Sequence, residues 1–387
     1  MNKGNSIFGQ ILSIFDKNNL KKASVKHNAD KHSKGFSSKD HFISMLFCQF
    51  AYSKSLREIC DGLKSSLDKT IHLGLMRLPT KSNLSYVNSK RPWEYFQEIF
   101  YMTLQKVQSE QFQKKKKFRF KNKLYSMDAS IIDLCISMYD WALYRTTKGA
   151  IKLHLLLDHD GYLPTFLNIT TGKIHEVNIA REIKLPPGSI IAVDRGYNDY
   201  SLFYEWTKVK VSFVTRMKNN ALYEVIEKRQ VPQNRNILSD EVIKYTGFYS
   251  QKECPVCLRR VVVWDKTNQK EIVLLTNNLK LGSSTISSIY KDRWEIELFF
   301  KAIKQQLRIK TFVGTSENAV RIQIWTALIT ILILKYLKFK STFGWALSNM
   351  VALLRLNLLV YTDLTTWMND PFYKAREPDY VVATLFD

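Results

Sequence analysis

The sequence predicts an α/β fold: a mixed β-sheet flanked by helices, interrupted by a β-rich insertion and preceded by a helical domain. Three stretches of distinct pattern predict it. Residues 1–112 carry the spacing of amphipathic helices, residues from 124 switch to short runs rich in β-branched and aromatic side chains, and from 281 the helical spacing returns. A chain of 387 residues with 45% hydrophobic and 13% aromatic residues buries a sizeable core, which excludes a disordered protein. Lys and Arg number 58 against 35 Asp and Glu, a net charge of +23. An excess of that size on a folded chain points to a polyanionic partner, nucleic acid ahead of membrane. Five scattered cysteines make no disulfide framework, which fits a reducing cytoplasm. The N-terminal stretch has too short an apolar run for a signal peptide. The most apolar segment, Ile322 to Leu334, falls short of the roughly 20 residues that span a bilayer, so it reads as a buried helix, with no membrane partner.

In the helical domain, Ser38 and Asp40 open the run HFISMLFCQFAY, and SLREICDGL follows as a short amphipathic helix that Gly62 can end. Thr80 is placed to cap a helix carrying Ser82, Asn83, Tyr86, Lys90 and Arg91, side chains of the kinds that contact base edges and phosphates. The arrangement allows a helix-turn-helix-like unit with a longer connection than usual. The plainer reading is a helical domain with a polar surface. QKKKKFRFKNK, residues 113–123, is a basic linker. Residues 124–217 then hold five strands: KLYSMDASIIDLCI, GAIKLHLLLD and YLPTFLNIT joined by the turn His159-Asp160-Gly161, SIIAVDRGY and VSFVTRMK. Three consecutive antiparallel strands, followed by strands interspersed with helices, is the order of a ribonuclease-H-like sheet. Residues 218–280 form the β-rich insertion, 281–345 the second part of the core begun at 124–217, and 346–387 a helical and irregular tail.

The densest chemical pattern is YKDRWEIELFFKAIK, Tyr290 to Lys304. On one helix, at about 100° per residue, Tyr290, Arg293, Glu297 and Lys304 fall within roughly 60° of one another, and Glu295 points away. Ile296, Phe299, Phe300 and Ile303 form the adjoining apolar flank. A carboxylate between two cations, with a phenol alongside, suits phosphodiester chemistry: the carboxylate holds a divalent metal and the cations hold phosphates. The same residues also make an ordinary solvated face with an Arg293–Glu297 pair. A metal nuclease needs further hard oxygen ligands. Asp128 lies mid-strand on the face opposite Asp133, and Asp194 ends the apolar strand IIAVD. Taken singly, a strand-end aspartate is more often a turn residue, and Asp158 and Asp160 read as hairpin residues. Cys254 and Cys257 form a lone CxxC and read as a turn rather than a zinc site. His154 reads as a core histidine, and Lys152 as an outward strand residue or a phosphate contact.

The spacing Tyr-x2-Arg-x3-Glu-x6-Lys at Tyr290, Arg293, Glu297 and Lys304 resembles the signature of insertion-sequence DDE transposases of the IS-four group. MDAS, KGAIKLH, the Thr171 to His175 stretch and VDRGYND are similar to that family's blocks around its first two catalytic aspartates, in the family's order. The resemblance covers roughly residues 1 to 345. It implies a ribonuclease-H-like catalytic domain behind a helical DNA-binding domain. It implies Asp128, Asp194 and Glu297, rather than Glu295, as catalytic acids holding two Mg²⁺ ions about 3.5–4 Å apart, with Mn²⁺ able to substitute. Arg293 and Lys304 would bind phosphates near the cleaved end, and Tyr290 a phosphate or an unpaired base. The implied partner is double-stranded DNA, both transposon ends and target, bound by a homodimer at the bacterial nucleoid. Some relatives make a hairpin at the transposon end, which needs a flipped base stacked on an aromatic side chain. Trp264 in the insertion is the candidate, although a tryptophan in a small β unit is more often a core residue. Two rivals stand beside this reading. One is a catalytically inactive transposase-derived DNA-binding protein, against which the three acids argue. The other is a ribonuclease-H-like nuclease, against which the large basic N-terminal region argues.

Overall fold

Residues 5–31, 33–66, 72–111, 117–135, 137–145, 148–233, 235–306 and 312–372 are described by the computed structural model. Residues 113–116 of the basic linker and the tail from 373 lie outside them. Two units form, one of Met1–Val107 with Gln306–Asp387 and the other of Gln108–Gln305.

The described part of the first unit is helical. Ser37, one residue before the expected cap, opens the helix Ser38–Ala51: its Oγ accepts from the Asp40 amide at 3.1 Å, and the Asp40 carboxylate accepts from the Ser37 amide at 3.1 Å. Gly62 does not end its helix. Leu56–Lys64 runs past it, and a Cβ at Gly62 would stand 2.9 Å from the Phe47 ring, so glycine serves close packing there rather than a C-cap. The apolar segment lies within Glu317–Lys340, a helix of 24 residues, long and apolar enough by composition to cross a membrane. Its apolar window is 83% buried within the protein, with Trp325 stacked on Trp93 at 6.4 Å and tilted against Phe100 at 5.2 Å. It packs beside Ser38–Ala51 as a core helix.

The second unit is built on a ten-stranded sheet: β1 (Leu124–Leu134), β2 (Leu143–Arg145), β3 (Lys148–Asp158), β4 (Leu163–Thr171), β5 (Ile190–Val193), β6 (Ser212–Arg216), β7 (Tyr223–Lys228), β8 (Ile237–Tyr245), β9 (Leu258–Asp265) and β10 (Lys270–Thr276). β4 and β1 flank β3, all antiparallel. β1 then pairs in parallel with β5, and β5 in parallel with β6. The order across this part is therefore β4-β3-β1-β5-β6. β5 reads as the unbroken run IIAV because both of its faces are buried. Ile191 and Val193 join the core with Met127, Phe203 and Phe213, and Ile190 and Ala192 join the opposite core with Val214, Ile286 and Ile289.

The stretch 218–280 is not a separate small unit. β10 pairs antiparallel with β6, β9 with β10, β8 with β9 and β7 with β8, so the same sheet simply continues. The open backbone edge of β6 takes a partner in this way instead of facing solvent. Nor is the stretch all β, since Phe248–Glu253 is a short helix.

Candidate active site

The parallel register of β1 and β5 pairs Met127 with Val193, which sets Asp128 and Asp194 one step further along neighbouring strands. Asp128 is largely buried, and its Oδ1 accepts the Ala129 amide at 2.8 Å. Burial pushes its carboxyl up to about 7; the charges of Asp194 and Glu176 add to the rise, and the Ala129 amide and Arg293 oppose it. Asp194 caps the single turn Arg195–Tyr197, its Oδ1 accepting the Gly196 amide at 2.8 Å, while its carbonyl accepts the Thr215 hydroxyl at 2.9 Å.

The stretch from Tyr290 to Lys304 is not one helix. Ser283–Asp292 ends and Glu295–Gln306 begins around Arg293 and Trp294. There Trp294 donates to Lys291, Ile296 to Arg293 and Glu297 to Trp294, bonds of the tighter i to i−3 kind. The tightened turn buries Arg293 and leaves Trp294 outside, 56% exposed. The Arg293 guanidinium lies 3.8 Å from Asp128, donates to Glu297 at 2.7 Å and stacks on the Tyr290 ring at 5.5 Å; Arg216 lies by the same ring at 5.6 Å. So Arg293 stands between the acid on the strand and the acid on the helix. Lys304 donates to the Ile131 carbonyl of β1 at 2.8 Å. Glu295 opens the second helix and lines the same cleft as Asp194, Tyr290 and Arg293.

A cleft of ≈ 1630 Å³ opens here, lined by Asp194, Tyr290, Arg293, Trp294 and Trp264 together with Arg195, Arg216, Arg235, Lys266 and Lys291. Trp264 is half-buried on β9, opposite Glu271 of β10, and lies at the border of this cleft beside Val263 and Asp265. Such a basic, aromatic-lined groove suits an anionic polymer.

Residues 119–333 match the family model described as Transposase DDE domain. The chain belongs to the DDE transposase family. Residues 3–76 also match a model described as a domain of unknown function, DUF4372. Relatives named as transposases include y4zB of Sinorhizobium fredii, 30% identical over 66% of this chain and 71% of that one. Another, from Geobacillus stearothermophilus and named for insertion sequence element IS5377, is 26% identical over 66% and 67%. A third, from Synechocystis and named for IS4SA, is 23% identical over 75% and 81%.

Membership of the DDE transposase family implies metal-dependent catalysis. The oxygen donors of Asp128, Asp194 and Glu297 suit a hard cation. Among the described residues, however, no three His, Cys, Asp or Glu side chains converge closely enough to hold an ion as they stand. The fit is supported by Tyr197, whose buried hydroxyl has no partner and whose acidic neighbours are Asp128, Glu176 and Asp194.

In the transposase's first unit, Ser82, Tyr86 and Lys90 lie exposed on the helix Lys81–Lys90 and Asn83 is half-buried. Arg91 is not on that surface. It is 6% exposed, and its guanidinium donates to the carbonyls of Ala29 at 2.8 Å, Phe36 at 2.8 Å and Ser37 at 3.1 Å. A cation buried in this way ties a loop together and is withdrawn from the surface where a phosphate would bind. Residues 67–71, in the connection between the two helices of the expected helix-turn-helix-like unit, lie outside the described residues.

Sequence reasoning missed three side chains of this region. Glu176 follows the Thr171 to His175 block directly, which was the available signal. Tyr197 stands in the VDRGYND block. His159 was read only as a turn residue, yet its Nδ1 is 2.6 Å from the buried Asp292 carboxylate and its Nε2 is 2.6 Å from the Ser126 hydroxyl. Asp292 also accepts from Lys117 and from the Tyr162 hydroxyl at 3.2 Å. This relay joins β1, two residues before Asp128, to the residue before Arg293.

Proposed function

We propose that this chain cleaves and joins DNA at the terminal inverted repeats of its own insertion sequence, as a transposase of the IS-four group with a ribonuclease-H-like catalytic core. The observation that carries the reading is the strand order β4-β3-β1-β5-β6, in which the two neighbouring parallel strands each bring an aspartate, Asp128 and Asp194, to the same end. Support also comes from Glu297, which is tied to Asp128 through one shared guanidinium. The active form is a homodimer on DNA, working at the nucleoid in the bacterial cytoplasm.

Asp128, Asp194 and Glu297 would hold Mg²⁺, two ions in the full site, with Mn²⁺ as a substitute. Bound there, the metal supplies activation of the attacking oxygen and stabilisation of the leaving one. The chain's own residues do the rest. Arg293 neutralises Asp128 and Glu297 while the site is empty of DNA, and a phosphate entering beside Tyr290 competes for its guanidinium. Lys304 steadies the second helix on the backbone of β1. The cations along the cleft hold the backbone of the strand to be cut.

A strand-transfer assay on terminal-repeat DNA tests the reading. Asp128→Ala, Asp194→Ala and Glu297→Ala are each expected to abolish cleavage and leave DNA binding, while Glu295→Ala is mild. Binding without cleavage by the wild-type chain would favour an inactive DNA-binding descendant. Cleavage of RNA–DNA hybrids without joining would favour a nuclease.

A further inference from the structure

We propose that Glu176 is a further acid of the metal-holding site, binding a divalent cation together with Asp128 and Asp194. The inference rests on the functional reading above and extends it to a residue outside the three acids of the signature.

The geometry centres on Gly196. A Cβ placed there would stand 3.0 Å from Glu176 Oε2 and 3.1 Å from Asp194 Oδ1, so the two carboxylates border one small space that any side chain at 196 would fill. Asp128 follows Met127, which pairs with Val193, so it stands on the neighbouring parallel strand level with Asp194. Beside them the Tyr197 hydroxyl is fully buried and unpaired, with Asp128, Glu176 and Asp194 as its acidic surroundings. A buried donor without a protein partner costs stability, so its retention among three carboxylates points to a ligand that brings its own oxygens. Glu297, in contrast, is occupied by Arg293 at 2.7 Å.

Asp128, Glu176 and Asp194 do not converge to a coordination shell as they stand, and a cation would have to draw them together against their mutual repulsion. Three hard carboxylate donors, one of them shared between two ions or reaching an ion through water, suit Mg²⁺ or Mn²⁺. The plainer role for Glu176 is its ion pair with Lys152, whose Nζ lies 3.4 Å from Oε1 and also donates to the Ile174 carbonyl at 3.1 Å. That contact engages one oxygen and leaves Oε2 facing Asp194.

Mn²⁺ binding to the full chain without DNA, measured by calorimetry and electron paramagnetic resonance, separates the two roles. Glu176→Gln is expected to weaken Mn²⁺ binding by about tenfold or more, and to lose the rise in unfolding temperature that Mn²⁺ gives the wild type, with metal-free unfolding unchanged. Lys152→Met should keep Mn²⁺ affinity. Wild-type Mn²⁺ affinity in Glu176→Gln would overturn the proposal, as would an equal loss in Lys152→Met. If Asp128→Asn and Asp194→Asn also bind Mn²⁺ like the wild type, it is the metal-holding reading of the whole site that fails, not the addition of Glu176 alone.

Discussion

Arg91 and Arg293 look alike in the sequence, each a cation on a polar stretch, and the structure gives them opposite work. Arg91 is spent on three backbone carbonyls. Removing it strands buried acceptors, each costing about 1–3 kcal/mol. Arg91→Ala is therefore expected to lower unfolding stability by about 3 kcal/mol or more in a denaturant titration. Unfolding that matched the wild type would contradict the structural role. Arg293 is held by Asp128, Glu297 and the Tyr290 face, a flat, forked arrangement that a lysine cannot reproduce. Arg293→Lys should cut strand cleavage by about 10²-fold, the scale of a lost charge-stabilising donor, while filter binding of terminal-repeat DNA stays near normal. Wild-type cleavage rates in that variant would mean a simple point charge suffices.

Among the elements, the turn between Ser283–Asp292 and Glu295–Gln306 decides where Arg293 and Glu297 sit, and Asp292 anchors it. Burial alone would raise the Asp292 carboxyl, but hydrogen bonds from His159 and Lys117 hold it below the ordinary range. A carboxyl with a depressed folded pKa stabilises above the unfolded value, about 3.9, and the contribution is lost as pH falls through the folded value. Asp292→Asn should therefore be less stable than the wild type near neutral pH, with the gap closing below about pH 4. A gap that widened in acid would reverse the assignment. The same element shows what was legible beforehand. Tyr290, Arg293, Glu297 and Lys304 were readable from their spacing because helical periodicity survives a local tightening. The break itself was not, since no proline or glycine marks it and its cause is the tertiary environment of Arg293. Asp128 and Asp194 were singled out by the resemblance of MDAS and VDRGYND to the family's blocks, because a strand position or a strand end alone does not distinguish them from Asp133, Asp158 or Asp160. Glu176, Tyr197 and the partnership of Ser126, His159 and Asp292 depend on strand pairings made across long sequence separations. The extension of the sheet through β10 escaped for the same reason: nothing local in EIVLLT says which edge it will join.

At the scale of the whole molecule, a net charge of +23 makes phosphate neutralisation the main source of affinity, so log affinity should fall with log salt at about −0.9 per phosphate contacted. Against that background, contacts that act on particular steps must be separated from contacts that only bind. Ser82, Tyr86 and Lys90 offer an exposed face on one helix; substituting them should reduce the preference for terminal-repeat over random DNA, and equal loss on both would leave them as backbone contacts. In the cleft the separation is sharper, because two tryptophans line it. Trp264 lies on the extended part of the sheet, half-buried at the border of the cleft, and its strand holds it in place. Trp294 stands on the tightened turn, 56% exposed, next to the guanidinium that bridges the acids. Stacking on an aromatic is worth about 1–3 kcal/mol per base, enough to hold a nucleotide out of the duplex while the second strand is attacked. If second-strand cleavage runs through a hairpin, losing it should spare the first nick, which needs no flipped base, and block the hairpin. Trp264→Ala is therefore expected to accumulate nicked terminal DNA with little hairpin on a denaturing gel, at unchanged DNA affinity and unfolding temperature. If Trp294→Ala gives that pattern and Trp264→Ala forms hairpins normally, the base stacks on the turn and the tryptophan of β9 only shapes the cleft.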